Sequence, residues 1–541
     1  MEIESMNADL IEEWMVAKVV ESLEIPAEEV DRSLPFTSLG LDSLTLLELT
    51  GDLAEFTGCE IPVAMVWEFP NINSLAEQLS LLSPAGSGIT EPVVMRDRPF
   101  PLSYAQERIW RHACHDERGD TNAICEQWIL RGALDVGVLN RSLDEVIRRH
   151  EILRTIFTVE NGQLVQVIRP AKSVNIPVVD LSKDADPEAT AVRLLREEDD
   201  GVFVLDGDIL FRVRLFKLSE KEHRILFTLH HMLYDATSLE IFYSELSSIY
   251  AALSQGAESP LVEQPLQSAD FAVWQREHLQ ADGAHYQKML AWWKHHWSGS
   301  MPSRLKLPYR WRSKPKQVKA EESYLISSVP AELLAGIQAL AVQTSATQFM
   351  LFYAAFEALL YQVSGQRDMM IGSYVSDRSR SAARQAIGYY INLIVLRTEL
   401  SERPTFSEIV RQVREKLQQA SIHQELPYEE LVEAMKQEDR ALTRLEVIFQ
   451  QIPDLDECLT LAGMEVSRWR ERSQIRMPSG LTMVIMEGAE GVKVRLRFDA
   501  GRYQPSKMGI LMSQYTSLLE RMVADPEGRV TPVRKRWFGI F

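Results

Sequence analysis

A chain of 541 residues is too long for one core of ordinary size and points to two or three domains, with 45% apolar side chains to fill them. The net charge of −19 is carried unevenly: residues 1–82 hold 17 acidic side chains against Lys18 and Arg32, a net of −15 that leaves −4 for the rest. So acidic a leading segment argues against nucleic acid as a partner and suits docking on basic protein surfaces, although a merely solvated face fits the charge equally well.

Cys59, Cys114, Cys125 and Cys458 are widely spaced, with no C-x-x-C pair to suggest a metal or redox motif, and read as a reduced cytoplasmic set. The opening MEIESMNADL lacks the basic start and apolar core of a signal peptide. The longest apolar stretch, Phe349 to Tyr361, is interrupted by Glu357 and is too short to span a bilayer. It predicts a buried helix, and no membrane partner.

In chain order, Ile11, Met15, Val19 and Leu23 recur every four residues, and Leu46, Leu49, Leu53 and Phe56 recur at steps of three or four. Ile72, Leu75, Leu79 and Leu82 repeat the pattern, so residues 1–82 form a small helical bundle. The turn-rich SPAGSG at 83–88 opens a linker running to residue 97. Beyond it, strand-like runs (Gln163 to Ile168, Arg224 to His230) alternate with helical ones (Leu239 to Leu253), which predicts a large mixed α/β unit. No internal repeat is visible.

Ser43 lies just before the second apolar stripe, within Leu39-Gly40-Leu41-Asp42-Ser43-Leu44. On position alone it reads as a helix cap. The wider string PFTSLGLDSLTLLELTGDLAEFTG resembles the acyl carrier protein family, over nearly all of residues 5–82. The resemblance implies an all-α four-helix carrier, 4′-phosphopantetheine on Ser43, and Asp42 helping the phosphopantetheinyl transferase that installs it. A helix N-terminus favours a phosphodiester, because free backbone N–H groups and the dipole stabilise negative charge. Peptidyl carriers usually read G-G-x-S-L, so Asp42 and the acidic surface tilt the cargo toward a fatty acyl or polyketide chain.

The second motif is His230-His231-Met232-Leu233-Tyr234-Asp235-Ala236. Ile225, Phe227 and Leu229 alternate with Arg224, Leu226 and Thr228, which predicts a strand buried on at least one face. The helix after it has Thr237 or Ser238 to cap it. Neighbouring strand residues face opposite ways, so at most one of the two histidines looks into a given cavity. An imidazole moves protons well at neutral pH, and a carboxylate four residues on can fix the turn.

This string resembles the H-H-x-x-x-D-G motif of nonribosomal peptide synthetase condensation domains and of the related chloramphenicol acetyltransferases. LSYAQERIW (102–110), RHEILRTIF (149–157), DFAVWQREHL (270–279), VSDRSR (375–380), IGYYINLIVLR (387–397) and HQELPYEELV (423–432) follow in the family's order. The resemblance implies two acetyltransferase-like α/β lobes, 98–265 and 266–541, with a tunnel between them. It implies that His231 orients or deprotonates an attacking amine and that Asp235 is structural. It pairs Asp235 with an arginine, Arg378 being the best positional match and Arg154 the second. Two positions depart from the family: Ala236 replaces a glycine and narrows the channel, and Asp377 replaces the glycine before Arg378.

Together these readings predict a cytoplasmic carrier–condensation pair that transfers an acyl group from the Ser43 arm to the amine of an aminoacyl thioester. Its partners are an upstream acyl-loading or polyketide synthase enzyme and a downstream aminoacyl carrier, with no metal implied. Transfer to a diffusible alcohol or amine, or a non-catalytic recruitment platform, are the alternatives.

Overall fold

The computed structural model describes residues 7–533 except 24, 42, 60, 62–63, 82–94, 97, 116–122, 200–202, 300–301, 308–321, 377, 379–380, 437–444 and 470–479. The leading bundle is built by α1 (Ala8–Leu23), the short α2 (Phe36–Leu39), α3 (Ser43–Thr57), α4 (Ala64–Glu68) and α5 (Ile72–Ser80). The three apolar stripes meet in one core through Ile11, Met15, Leu46, Leu53, Ile72 and Leu75. Gly40 ends α2 at φ 105°, a left-handed conformation that glycine adopts without a steric penalty. Asn71 opens α5, its side chain accepting from the Ser74 N–H. Leu82, the last residue of the third stripe, lies outside the described residues.

The first lobe runs β1 (Phe100–Pro101), α6 (Tyr104–His115), β2 (Ala123–Arg131), α7 (Val136–Arg149), β3 (Thr155–Glu160), β4 (Gln163–Ile168), β5 (Val178–Asp180), α8 (Pro187–Asp199), β6 (Phe211–Ser219), β7 (Glu222–His230) and α9 (Ala236–Ser254). β7 is covered on both faces. Ile225, Phe227 and Leu229 join Phe242 and Leu246 of α9 in one core, while Leu226 and Phe216 pack on Ala191 and Leu195 of α8. Even Arg224 is buried, donating to Glu188 at 2.6 Å.

The second lobe begins with α10 (Ser268–His278) and α11 (Ala284–His296), then β8 (Glu322–Ser328), α12 (Ala331–Thr344), α13 (Gln348–Ser364), β9 (Asp368–Ser376), α14 (Ser381–Arg384), β10 (Ile391–Glu399), α15 (Phe406–Ile422) and α16 (Tyr428–Met435). β11 (Val447–Pro453), β12 (Glu465–Arg468), β13 (Leu481–Gly488), β14 (Gly491–Asp499) and α17 (Pro505–Ala524) complete it. Its sheet has the order β10-β9-β11-β13-β14-β8. Helix α13 is the predicted buried helix, and its Glu357 is fully enclosed, accepting from the Thr398 hydroxyl. Burial pushes the Glu357 carboxyl above its ordinary range.

One strand crosses the expected boundary between lobes. β12 lies in the 266–541 segment but pairs antiparallel with β2, giving the first sheet the order β12-β2-β7-β6-β5. Arg468 fixes it there, its guanidinium 4.1 Å from the Trp128 ring centroid and paired with Glu126. The β9–β10 connection also leans into the first lobe, since Tyr389 belongs to that lobe's core.

Candidate active site

The histidine pair sits where β7 turns into α9. His230, the last strand residue, is fully buried, and its Nδ1 accepts from the Met232 N–H at 3.3 Å. His231 begins the turn and is only partly buried as a residue. Its Nδ1 lies 3.2 Å from the Tyr234 carbonyl oxygen, so Nδ1 carries the proton and Nε2 is the basic nitrogen. The rings of Tyr234 and Tyr389 flank it, each centroid 5.0 Å away. Burial pushes the His231 pKa down to about 4, with His230 and Arg108 adding to the effect, and the imidazole is neutral at physiological pH.

Asp235 anchors the turn. Its Oδ1 accepts from the Ser238 N–H at 2.8 Å and from Arg378 Nη2 at 2.8 Å. Its Oδ2 accepts from Arg378 Nε at 3.2 Å and the Tyr390 N–H at 3.3 Å. Asp235 is thus the N-cap of α9, in place of the expected Thr237 or Ser238. The hydroxyl of Ser238 instead accepts from Arg378 Nη2 at 2.8 Å and the Gly388 N–H at 3.0 Å. Arg378 Nη1 donates to the carbonyls of Ala383 and Ala386 at 2.7 and 2.8 Å. Those bonds engage all five N–H donors of the guanidinium. Arg154 does not reach Asp235: it is turned to the carbonyls of Ile147 and Arg169, holding the end of α7 instead.

Ala236 is the first residue of α9 and is half-buried. Asp377 and Asp42 lie outside the described residues. Ser43 opens α3, and a helix N-terminus, whose first N–H groups lack partners within the helix itself, fits a phosphodiester at that residue.

A family model described as a condensation domain matches residues 97–534, and one described as a phosphopantetheine attachment site matches residues 13–79. The chain belongs to the condensation-domain family. It is a carrier domain followed by a condensation domain, of the nonribosomal peptide synthetase type. A linear gramicidin synthase protein of Brevibacillus parabrevis is 33% identical over 529 residues, 96% of this chain and 10% of that protein. Surfactin synthase subunit 1 of Bacillus subtilis (strain 168) is 30% identical over 498 residues, 91% of this chain and 13% of that protein. The chain therefore spans about a tenth of the length of these relatives. Among solved structures, the X-domain from teicoplanin biosynthesis is similar at TM-score 0.70 and 26% identity, covering 82% of this chain and 98% of that one. The first condensation domain of the calcium-dependent antibiotic synthetase shares the fold at TM-score 0.66 and 22% identity, covering 80% and 99%. Condensation domains of these synthetases are acyltransferases that form amide bonds. Among the described residues no helix is long and apolar enough to cross a membrane.

Around the condensation-domain turn stand side chains to which the sequence reading gave no role. Arg108 of α6 donates to the Tyr389 hydroxyl at 3.0 Å and pairs with Glu429 of α16 at 3.3 Å. Burial pushes the Tyr389 hydroxyl up to about 12, so it stays a phenol beside His231. Gln106, also on α6, donates to the Met232 carbonyl at 3.2 Å and steadies the turn from below. Arg108 and Gln106 lie in LSYAQERIW, Tyr389 in IGYYINLIVLR and Glu429 in HQELPYEELV; the motifs marked the segments but not their meeting point.

The carrier rests on the second lobe of the condensation domain. Arg384 of α14 donates to the Glu48 carbonyl at 2.8 Å and pairs with Asp52 at 2.6 Å, both on α3. Trp67 of α4 packs against the core of that lobe. A cavity of about 260 Å³ opens along this seam, between Pro35, Leu46 and Val66 of the carrier and Arg414 of α15, and shares no lining residue with the surroundings of His231.

Proposed function

We propose that this carrier–condensation pair transfers a fatty acyl or polyketide group from the Ser43 arm to the amine of an aminoacyl thioester on a downstream carrier. The observation that carries the reading is a neutral His231 imidazole whose Nδ1 is tied to the Tyr234 carbonyl, on a turn locked by Asp235 and Arg378. Phosphopantetheine on Ser43, when bound, supplies the thiol that presents the acyl group as a thioester. His231 Nε2 orients the acceptor amine and takes its proton as the C–N bond forms. With the arm bound, loss of its thiol from the acyl group would leave the amide, and His231 would hand the proton on to that thiol. Arg378 and Asp235 act at one remove, holding the base in position.

The seam through Arg384 and Asp52 supports service of the condensation domain by its own carrier. The acyl cargo is supported by Asp42 before the serine and by the 17-to-2 excess of acid over base in residues 1–82. A second reading, a platform that recruits another protein, is favoured by likeness to a teicoplanin X-domain solved in complex with OxyB, at TM-score 0.71 and 25% identity. One experiment separates them: matched acyl and aminoacyl groups are loaded on Ser43 and offered with one acceptor amine in single-turnover assays. Faster transfer from the acyl donor supports the proposal. Equal or faster aminoacyl transfer sinks the cargo assignment, and no transfer from either donor favours the platform.

A further inference from the structure

We infer that His278, His285 and Glu425 form a divalent-metal site of zinc type at the junction of α10, α11 and the loop before α16. One ligand atom from each lies within 4.8 Å of the other two. His285 Nε2 is 3.0 Å and His278 Nε2 is 3.5 Å from the same oxygen, Glu425 Oε2. A tetrahedral zinc ion with bonds of about 2.0–2.1 Å sets its ligand atoms about 3.3 Å apart, so the two His–Glu spacings already bracket the requirement. Closing the His–His spacing takes a rotation of the exposed His285 ring.

The three ligands come from separate elements. His278 ends α10 and stacks on Trp274, with ring centroids 4.8 Å apart at 19°. His285 stands on the first turn of α11, with its ring 4.8 Å from that of His278. Glu425 is fixed through its backbone: the Asn392 amide donates to the carbonyls on either side of it, Gln424 at 2.6 Å and Leu426 at 2.7 Å. Two imidazoles and one carboxylate are a borderline-soft set suited to zinc or cobalt(II) rather than magnesium or calcium. With three protein ligands, the fourth position is left to water.

An ion here staples the start of the second lobe to the segment leading into α16. Four residues beyond Glu425, Glu429 pairs with Arg108, which donates to Tyr389 beside His231. The site is therefore linked to the reaction centre through Glu429, Arg108 and Tyr389 without belonging to it.

The test uses the full chain, stripped with a chelator and then titrated with zinc by calorimetry and with cobalt(II) by visible absorption. One equivalent should bind, with the intense visible bands of tetrahedral cobalt, and zinc should raise the melting temperature. Glu425→Gln and His285→Ala should each weaken binding at least about 100-fold and abolish the thermal shift. His285 is exposed, so that variant remains informative if the Glu425 variant folds poorly. Absence of binding in the wild type, or binding that both variants leave unchanged, overturns the site.

Discussion

Arg378 and Asp235 are 143 residues apart in the chain, and each is about nineteen-twentieths buried, yet the guanidinium clasps the carboxylate through Nε and Nη2 at 3.2 and 2.8 Å. The clasp joins the β9–β10 connection of one lobe to the first turn of α9 in the other. The same carboxylate caps that helix, so one side chain fixes both the helix start and the approach of the lobes.

Asp235→Ala leaves Arg378 buried without its counter-charge and strips the cap from α9. Losing one partner of such a pair costs about 3–5 kcal/mol. Chemical denaturation should show a loss of that size, and the double variant Asp235→Leu with Arg378→Met should lose less than the sum of the single changes.

The second prediction concerns pH. His231 is held at about 4 by burial, below the ordinary value of 6.5 for a histidine. Its folded value is depressed, so its share of stability is fully present above about pH 6.5 and is lost as pH falls through about 4. Corrected for protonation of the acceptor amine, whose ordinary value is about 7.7–8.0, the transfer rate should stay level from neutrality to about pH 5 and fall near pH 4, where an unperturbed histidine would fail near 6.5. His231→Ala should slow transfer by about 10²- to 10⁴-fold and remove that step, with folding retained. A corrected rate that halves near pH 6.5 in the wild type would show that the base is not held at so low a value.

At the carrier seam, Arg384→Asp should reduce transfer from the attached carrier, and Asp52→Arg in the same chain should restore it. The pair is partly exposed, so the effect should be about 2- to 5-fold and should fade as salt is raised. Single-turnover rates at low and high salt check both points.

Ser43→Ala should gain no phosphopantetheine mass on treatment with the transferase, whereas the parent chain should gain one arm. Intact-protein mass spectrometry gives the answer directly. A full mass gain in the variant would move the attachment site elsewhere.

The helical bundle, the buried helix through Glu357 and the turn bearing His231 were legible because each depends on local pattern. Asp235 as cap was not, since Thr237 and Ser238 are equally plausible by composition and the choice is made by Arg378 arriving from far along the chain. Burial of β7 on both faces was half-legible: Leu226 among the alternating residues signals a second apolar neighbour but cannot say that α8 provides it. Arg384 gave no sign of its partner, because a lone arginine on a four-residue helix acquires meaning only when α3 is set against it. His278, His285 and Glu425 converge from segments whose motifs marked lineage, not proximity.

The crossing of Glu465–Arg468 into the first sheet bears on how this protein can be cut. A fragment ending at residue 265 would lack that strand, exposing the outer backbone of Trp128 to Arg131 as an unpaired edge next to apolar side chains. Such an edge is a template for pairing with other chains. The halves of the condensation domain are accordingly poor units for separate expression, and a workable fragment has to keep residues 123–131 and 465–468 on the same polypeptide.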